Sequence, residues 1–244
     1  MKPSFDYGVY QNLPFDKYKQ LPGLNQSTLK LLISKDREKR NNFINNYALQ
    51  FGSAGHCLLL EPEKFEDLYI CAPKNLSQRK KKGKEQWQEF CNLNIGKIVL
   101  RYNDWSRLKN IQKSFLLHPK IKKIFSNGNS EVSLFWRDSE YDLDCKSRLD
   151  WFDEEHKKII DLKFTQNISK TKINNHINNN FSIQANWYVR GVHQLTNFVS
   201  DFLYIFIEKF APHCIHILPI SRDNLKVGQE KIDYIINYKI QKVS

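Results

Sequence analysis

An aspartate and a lysine are spaced for joint chemistry in the segment Ile159-Ile160-Asp161-Leu162-Lys163. The apolar residues around them predict a β-strand, on which Asp161 and Lys163 project to the same side with Cα atoms roughly 7 Å apart. A second aspartate, Asp150, lies eleven positions earlier, at the end of a neighbouring predicted strand. Two antiparallel strands with a short connection can therefore bring the two carboxylates together.

Two carboxylates at one point repel each other unless a cation lies between them. Their hard oxygen ligands suit Mg²⁺, for which Mn²⁺ can substitute. A nearby lysine can orient or help deprotonate an attacking water and offset charge on a phosphorane-like transition state. Asp150, Asp161 and Lys163 thus predict metal-dependent phosphodiester hydrolysis. The alternative is a strand with ordinary surface charges, since Asp-x-Lys alone is common.

A histidine is a further candidate ligand. His56 follows the small residues Gly52-Ser53-Ala54-Gly55, which allow another backbone segment to approach closely, and a neutral imidazole can bind a metal. A lone histidine is more often structural or exposed, and sequence distance does not say whether His56 meets Asp150. Both interpretations of His56 stay open at the level of the residues.

The composition favours a polyanionic partner. Lys and Arg number 38 against 26 Asp and Glu, a net charge of +12, and such a chain gains binding energy by displacing counterions from phosphates. A merely basic surface is the alternative. No apolar run reaches the roughly 18–20 residues that span a membrane, and Met1–Tyr10 lacks the apolar region of a secretory signal. A cytoplasmic protein without membrane contact is expected.

The elements that must position the candidate residues predict an α/β fold with a helical N-terminal portion. A single domain is expected, in which residues 1–125 are mainly helical and carry His56, and residues 126–244 form the sheet core. Tyr141 onward alternates apolar and polar residues, which predicts a half-buried strand ending near Asp150. The other predicted strands are Glu131–Trp136, Lys158–Phe164, Asp201–Glu208 and Cys214–Pro219. The other predicted helices are one capped by Asn25 or Ser27, those at Asp36–Tyr47, Gly52–Leu60, Trp105–Leu117 and Phe181–Thr196, and a last one capped by Ser221. Arg79–Lys84 is predicted as a charged loop, and the Asn-rich stretch Asn167–Asn180 as a loop with a helical turn.

The chain resembles the nuclease domain of exonuclease VIII-type (RecE-type) enzymes, within the PD-(D/E)XK nuclease superfamily. The segments that carry the resemblance follow one another along nearly the whole chain. They are Pro22-Gly23 with Asn25 and Ser27, Gly52–His56 followed by Leu60-Glu61-Pro62-Glu63 and Phe65, Ala72-Pro73, Glu131–Trp136, Arg148-Leu149-Asp150, Asp161-Leu162-Lys163 and Gln184. One position departs, because Leu149 stands where the family has a proline, but the aspartate after it is kept.

The resemblance implies a PD-(D/E)XK core, with a mixed central sheet flanked by helices, that degrades linear double-stranded DNA from its ends. It further implies 5′ to 3′ polarity, a role in recombination or repair, and as partners DNA ends, a single-strand annealing protein and a homo-oligomeric ring. An endonuclease or restriction-type enzyme on the same fold, and a non-catalytic DNA-binding protein, are the alternatives.

The resemblance also assigns roles to single residues. The metal ligands it implies are His56, Asp150, Asp161 and the carbonyl of Leu162. The catalytic residues it adds are Lys163, which positions the water, and Gln184, which supports the site. The DNA contacts are Ser27, Arg148 and Tyr188, and the outer-shell carboxylate is Glu131. For Ser27 the competing interpretation is a helix cap, and for Glu131 a surface acid at a strand edge.

Overall fold

The computed structural model of the protein describes residues 6–33, 46–76, 78 and 80–240, and in them a six-stranded sheet forms the centre. Its strands lie in the order β1-β4-β5-β6-β7-β8, with β6 and β7 parallel and all other neighbours antiparallel. The strands are β1 (Gly8–Tyr10), β4 (Asn129–Asp138), β5 (Leu143–Asp153), β6 (Lys158–Thr165), β7 (Asp201–Glu208) and β8 (Ile215–Pro219). A separate parallel pair is formed by β2 (Tyr69–Cys71) and β3 (Ile98–Leu100).

Helices cover both faces of this sheet. The helices are α1 (Phe15–Gln20), α2 (Gln26–Ile33), α3 (Asn46–Leu60), α4 (Pro62–Leu68), α5 (Lys81–Leu93), α6 (Tyr102–Leu117), α7 (Ile121–Ile124), α8 (Lys170–His176), α9 (Ser182–Thr196) and α10 (Arg222–Ile235). Two π-helical segments, Ile177–Phe181 and Ile236–Ile240, adjoin α9 and α10. The mixed sheet flanked by helices confirms the predicted fold class.

Alternation along the central strands divides the core into two layers. Ile159 packs with α2, α9 and α10 on one face of the sheet, whereas Ile160 packs with α3 and α6 on the other. Tyr204 and Ile205 divide in the same way on β7. Because side chains on a strand alternate between faces, strands buried on both sides read as continuous apolar runs. The charged residues Asp161 and Lys163 of β6 are therefore located inside the protein.

The polar side of β5 is also covered, which differs from the half-buried strand predicted from its alternation. Lys146 is 5% exposed, and its Nζ donates to the backbone carbonyls of Tyr18 (3.0 Å) and Leu21 (2.5 Å) at the end of α1. An ammonium group at a helix C-terminus satisfies carbonyls that have no partner in the helix. The N-terminal segment is thereby fastened over β5.

Two further segments differ from their predictions. The Asn-rich stretch is helical over more than the single turn predicted, forming α8 and a π-helical segment, because Ile173 and Ile177, one turn apart, are both buried. Lys81 begins α5 rather than lying in a loop, since lysine is a good helix former. Most of the helix predicted at Asp36–Tyr47 lies outside the described residues. In the part of the chain that is described, no helix is both long and apolar enough to cross a membrane.

A pair of glycines tests the packing of α9 against α10. A Cβ at Gly228 would overlap the backbone carbonyl of Ser182, whereas a Cβ at Gly52 in α3 meets nothing within 4 Å. We expect Gly228→Ala to lower the free energy of unfolding by about 1–3 kcal/mol through overpacking. Gly52→Ala should raise it by up to roughly 1 kcal/mol, because alanine favours the helix. Urea denaturation measures both, and equal stability of the two variants would contradict the close α9–α10 contact.

Candidate active site

The site forms where two neighbouring strands separate. The β5–β6 ladder runs from Asp153↔Lys158 to Trp151↔Ile160 and ends there. The next pair in register is Asp150 and Asp161. In place of a ladder bond, the backbone N–H of Leu162 donates to Asp150 Oδ2 at 2.8 Å. The carboxylate therefore occupies the gap between the strands and fixes their divergence.

A third carboxylate lies at the same level of the sheet. Glu131 on β4 falls between the paired positions Ser130↔Trp151 and Val132↔Leu149, which places it opposite Asp150. Its φ is 53°, in the left-handed region that costs a non-glycine residue roughly 1–2 kcal/mol. Like charges directly opposite each other destabilise a sheet. Three adjacent strands thus carry acids in a row, and one of those acids sits on a strained backbone.

His56 approaches the three carboxylates from α3, which belongs to the core layer that also contains α6. Its Nδ1 lies 3.4 Å from Asp150 Oδ2. The preceding residue, Gly55, faces the ring of Phe164, and a Cβ at that position would overlap the ring. The absence of a side chain lets α3 lie close to β6 and so brings His56 to the carboxylates. The small residues before His56 were the one sequence signal for this approach.

The donor set fits a hard divalent cation. His56, Glu131 and Asp150 each offer a ligand atom, and these atoms lie within 4.8 Å of one another. Burial, followed by the charge of Asp150, raises the pKa of Glu131 and raises the pKa of Asp161 to about 6. Burial and repulsion from Asp150 therefore both disfavour the ionised forms of Glu131 and Asp161, and a bound metal ion would offset both effects. Glu131, predicted as an outer-shell acid, stands at ligand distance from the other two.

Each acid also has a basic partner from the protein. Arg148 Nε donates to Glu131 Oε2 at 2.6 Å, and the Lys163 ammonium forms an ion pair with Asp161 Oδ2. Burial alone would raise the pKa of Asp150, but the neighbouring His56, together with Lys163, holds it below the usual value. Asp161 is fully buried, whereas the Lys163 side chain is 22% exposed. Lys163 is thus the member of that pair that can meet a substrate.

Behind Asp161 lies a hydrogen-bonded chain of side chains. Gln184 Nε2 donates to Asp161 Oδ1 at 2.5 Å, and lies 3.3 Å from the hydroxyl of Tyr188 one turn later on α9. The far end of the amide accepts a hydrogen bond from Lys30 of α2, with Nζ 3.0 Å from Oε1. Lys30 was missed in the sequence because it follows Leu29 in an apolar helix and belongs to no motif. Burial, followed by the charge of Lys163, lowers the pKa of Lys30 to about 7.

A groove of about 340 Å³ opens beside the carboxylates and is lined by predicted DNA contacts. Asn25 Oδ1 accepts from Thr28 N at 3.0 Å and so caps α2. Ser27 is not the cap: it lines the groove, and its hydroxyl accepts a hydrogen bond from Gln26 Nε2 at 3.1 Å. The hydroxyl of Ser147 is buried there and forms no hydrogen bond within the described residues. The groove's lining residues are Phe15, Tyr18, Lys19, Asn25, Gln26, Ser27, Glu131, Ser147, Arg148, Asp150 and Tyr188.

This sheet, with its acids and lysine at diverging strands, defines a PD-(D/E)XK-like nuclease domain. A family model described as "PDDEXK-like domain of unknown function (DUF3799)" matches residues 17–243, and the chain belongs to that family. No curated protein matches the chain.

Two solved structures are similar to different degrees. A "Putative exonuclease" from Eubacterium rectale aligns with a TM-score of 0.62 and 15% identity over 95% of this chain and 89% of that one. SSO0001 aligns with a TM-score of 0.32 and 12% identity over 81% of this chain and 90% of that one. The first of these similarities extends to the fold.

Metal binding can be tested through thermal stability. We expect Mn²⁺ to raise the Tm of the protein, by the equivalent of about 2.7 kcal/mol at 100 times its dissociation constant. Asp150→Asn should abolish this gain, because it removes the charge at the centre of the ligand row. Asp142→Asn, an exposed acid on the same hairpin, is the matched control and should keep the gain. Thermal melts with and without Mn²⁺ measure the change in Tm. An undiminished rise in the Tm of Asp150→Asn would rule out this site.

Proposed function

We propose that the protein is a Mg²⁺-dependent deoxyribonuclease acting where β5 and β6 separate. The observation that supports this most is the cluster of His56, Glu131 and Asp150 ligand atoms within 4.8 Å, beside the Asp161–Lys163 pair. The proposed ligands are His56, Asp150, Asp161, the carbonyl of Leu162 and, in addition, Glu131. When bound, Mg²⁺ would polarise a phosphate oxygen and acidify a water.

The protein's own residues prepare the attack on the phosphate. Lys163 holds the attacking water and offsets the negative charge that develops in the transition state. Asp161 accepts the Lys163 ammonium on one oxygen and the Gln184 amide on the other. Its carboxylate is therefore unable to rotate, and Lys163 keeps a fixed direction. Such preorganisation lowers the barrier because no group has to reorient during the reaction.

DNA is proposed to enter along the groove beside Asp150. Ser27 and Tyr188 line it and offer hydroxyl groups to the phosphates. Arg148 supplies positive charge, although its N–H groups also bind Glu131, the Leu13 carbonyl and Ser133. Lys81, Lys82 and Lys84 in the first turn of α5 are proposed to make non-specific phosphate contacts, which position DNA without reading its sequence.

The finer proposal is an exonuclease that degrades linear double-stranded DNA from 5′ to 3′ in recombination or repair. The RecE-type resemblance along nearly the whole chain supports it, and the Eubacterium rectale protein of similar fold is itself described as a "Putative exonuclease". Mn²⁺ is proposed to replace Mg²⁺. A homo-oligomeric ring around DNA and a single-strand annealing partner are proposed on the resemblance alone.

The central test removes the groups at the reacting centre. We expect Asp161→Asn and Lys163→Met each to lower kcat on linear duplex DNA by at least about 100-fold. Removing one preorganised group that stabilises charge in the transition state typically has an effect of this size. Lys158→Met, on the same strand but outside the site, is the matched control and should keep activity. Gel assays with Mg²⁺, with Mn²⁺ and with chelator measure the rates. Wild-type activity in either variant would contradict the assignment of Asp161 and Lys163 to the active site.

Comparing a substrate that has ends with one that has none distinguishes an exonuclease from an endonuclease. We expect a linear duplex to be degraded and a closed circular duplex of the same sequence to stay intact, because attack begins at an end. On a duplex labelled at one terminus, the 5′ label should be released first. Cleavage of the circle would favour the restriction-type alternative, and earlier release of a 3′ label would reverse the proposed polarity. Binding without turnover in either metal would leave a non-catalytic DNA-binding protein.

A further inference from the structure

Lys30 enters the site from an element that carries none of the predicted metal ligands. It lies on α2, which packs against α9, and its Nζ is 3.0 Å from Gln184 Oε1. The same ammonium lies 5.7 Å from the centre of the Phe181 ring, and Lys163 Nζ lies 5.5 Å from that ring centre. The two lysines therefore share one aromatic ring, which attracts cations and offsets part of their mutual repulsion.

The partners at the two ends of the Gln184 amide leave it one orientation. A lysine ammonium only donates hydrogen bonds and a carboxylate only accepts them, whereas an amide has one donating and one accepting end. Because Asp161 at the other end only accepts, the oxygen faces α2, where Lys30 Nζ keeps an N–H to donate whether it is charged or neutral. The NH₂ group then faces Asp161 Oδ1, as the 2.5 Å contact requires. Without Lys30, the buried amide oxygen would lose its donor, and the amide would be held only from the side of Asp161 and Tyr188.

We propose that Lys30 is a positioning residue that fixes the Gln184 amide and, through it, the carboxylate of Asp161. The side chain of Gln184 is 4% exposed, so water has little access to replace the lost donor. Lys30 does not touch the reacting atoms and acts on them only through Gln184 and Asp161. In this proposal α2 contributes a positioning residue to the active site. The lowered pKa of Lys30, caused by burial and then by Lys163, agrees with a lysine held inside the protein rather than displayed to DNA.

A double-mutant cycle with Gln184 tests this inference, and its activity readout rests on the proposed nuclease function. We expect Lys30→Met to lower kcat on linear duplex DNA by about 10-fold or more, as outer-shell changes do, with KM nearly unchanged. In a Gln184→Ala background the same change should cost less than about 2-fold, because the group through which Lys30 acts is gone. Losses that multiply in the double variant would overturn the proposal, as would a Lys30→Met effect confined to KM.

A matched lysine controls for the general loss of a partly buried cation. Lys209 is also shielded enough that burial lowers its pKa, and its ammonium lies 5.5 Å from the Phe51 ring. Lys209→Met should keep kcat, and Tm values establish that each variant folds. A loss in Lys209→Met as large as that in Lys30→Met would count against a specific role.

A second readout separates this inference from the proposed function. Mn²⁺ affinity, measured by titration calorimetry without DNA, should fall by about 10-fold in Lys30→Met and should not fall further when Lys30→Met is added to Gln184→Ala. If the wild type degraded no DNA but showed this coupling, the nuclease proposal would fail and the role of Lys30 would stand. If the wild type degraded DNA but the two residues acted independently in both assays, the role of Lys30 would fail alone.

Discussion

The crowding of carboxylates at one level of the sheet is the constraint on which the rest of the site depends. Glu131, Asp150 and Asp161 belong to three adjacent strands, and the last is fully buried. A buried negative charge is tolerable only when it is paired and hydrogen-bonded. Arg148, His56 and Lys163 each pair with one acid, yet burial, followed by the charge of Asp150, still raises the pKa of Glu131 and the pKa of Asp161. A site of this kind attracts a divalent cation more strongly than a surface cluster of the same acids.

The compensating groups come from both faces of the sheet. His56 arrives on α3 with one core layer, whereas Gln184 and Lys30 arrive on α9 and α2 with the other. The strands must also diverge, since a continuous β5–β6 ladder would bond the Leu162 N–H to backbone and leave Asp150 without that donor. Packing on both faces and the end of the ladder therefore act together. A shift of either helix layer would leave a buried carboxylate without its partner, at a cost of several kcal/mol.

The sequence carried the local part of this arrangement and little of the long-range part. Period-two alternation was enough to place Asp161 and Lys163 on one face of a strand and Asp150 near its neighbour. Glu131 was assigned only an outer-shell role, because its position opposite Asp150 depends on the register of β4 and on a left-handed backbone that no residue pattern indicates. Lys30 was missed for a related reason. Its partner lies 154 positions away, and a single lysine in a short helix predicts a solvated charge.

The strained backbone at Glu131 shows how local preference yields to the site. An extended conformation would cost nothing in φ and would continue the ladder opposite Asp150. The left-handed conformation interrupts the ladder and is kept because Arg148 binds the carboxylate at 2.6 Å, with further bonds to the Leu13 carbonyl and Ser133 holding the guanidinium in place. Arg148 thereby opposes both the strain and the repulsion from Asp150. A metal ion would act in the same direction, so the geometry that is unfavourable for the isolated strand is the one that a divalent cation stabilises.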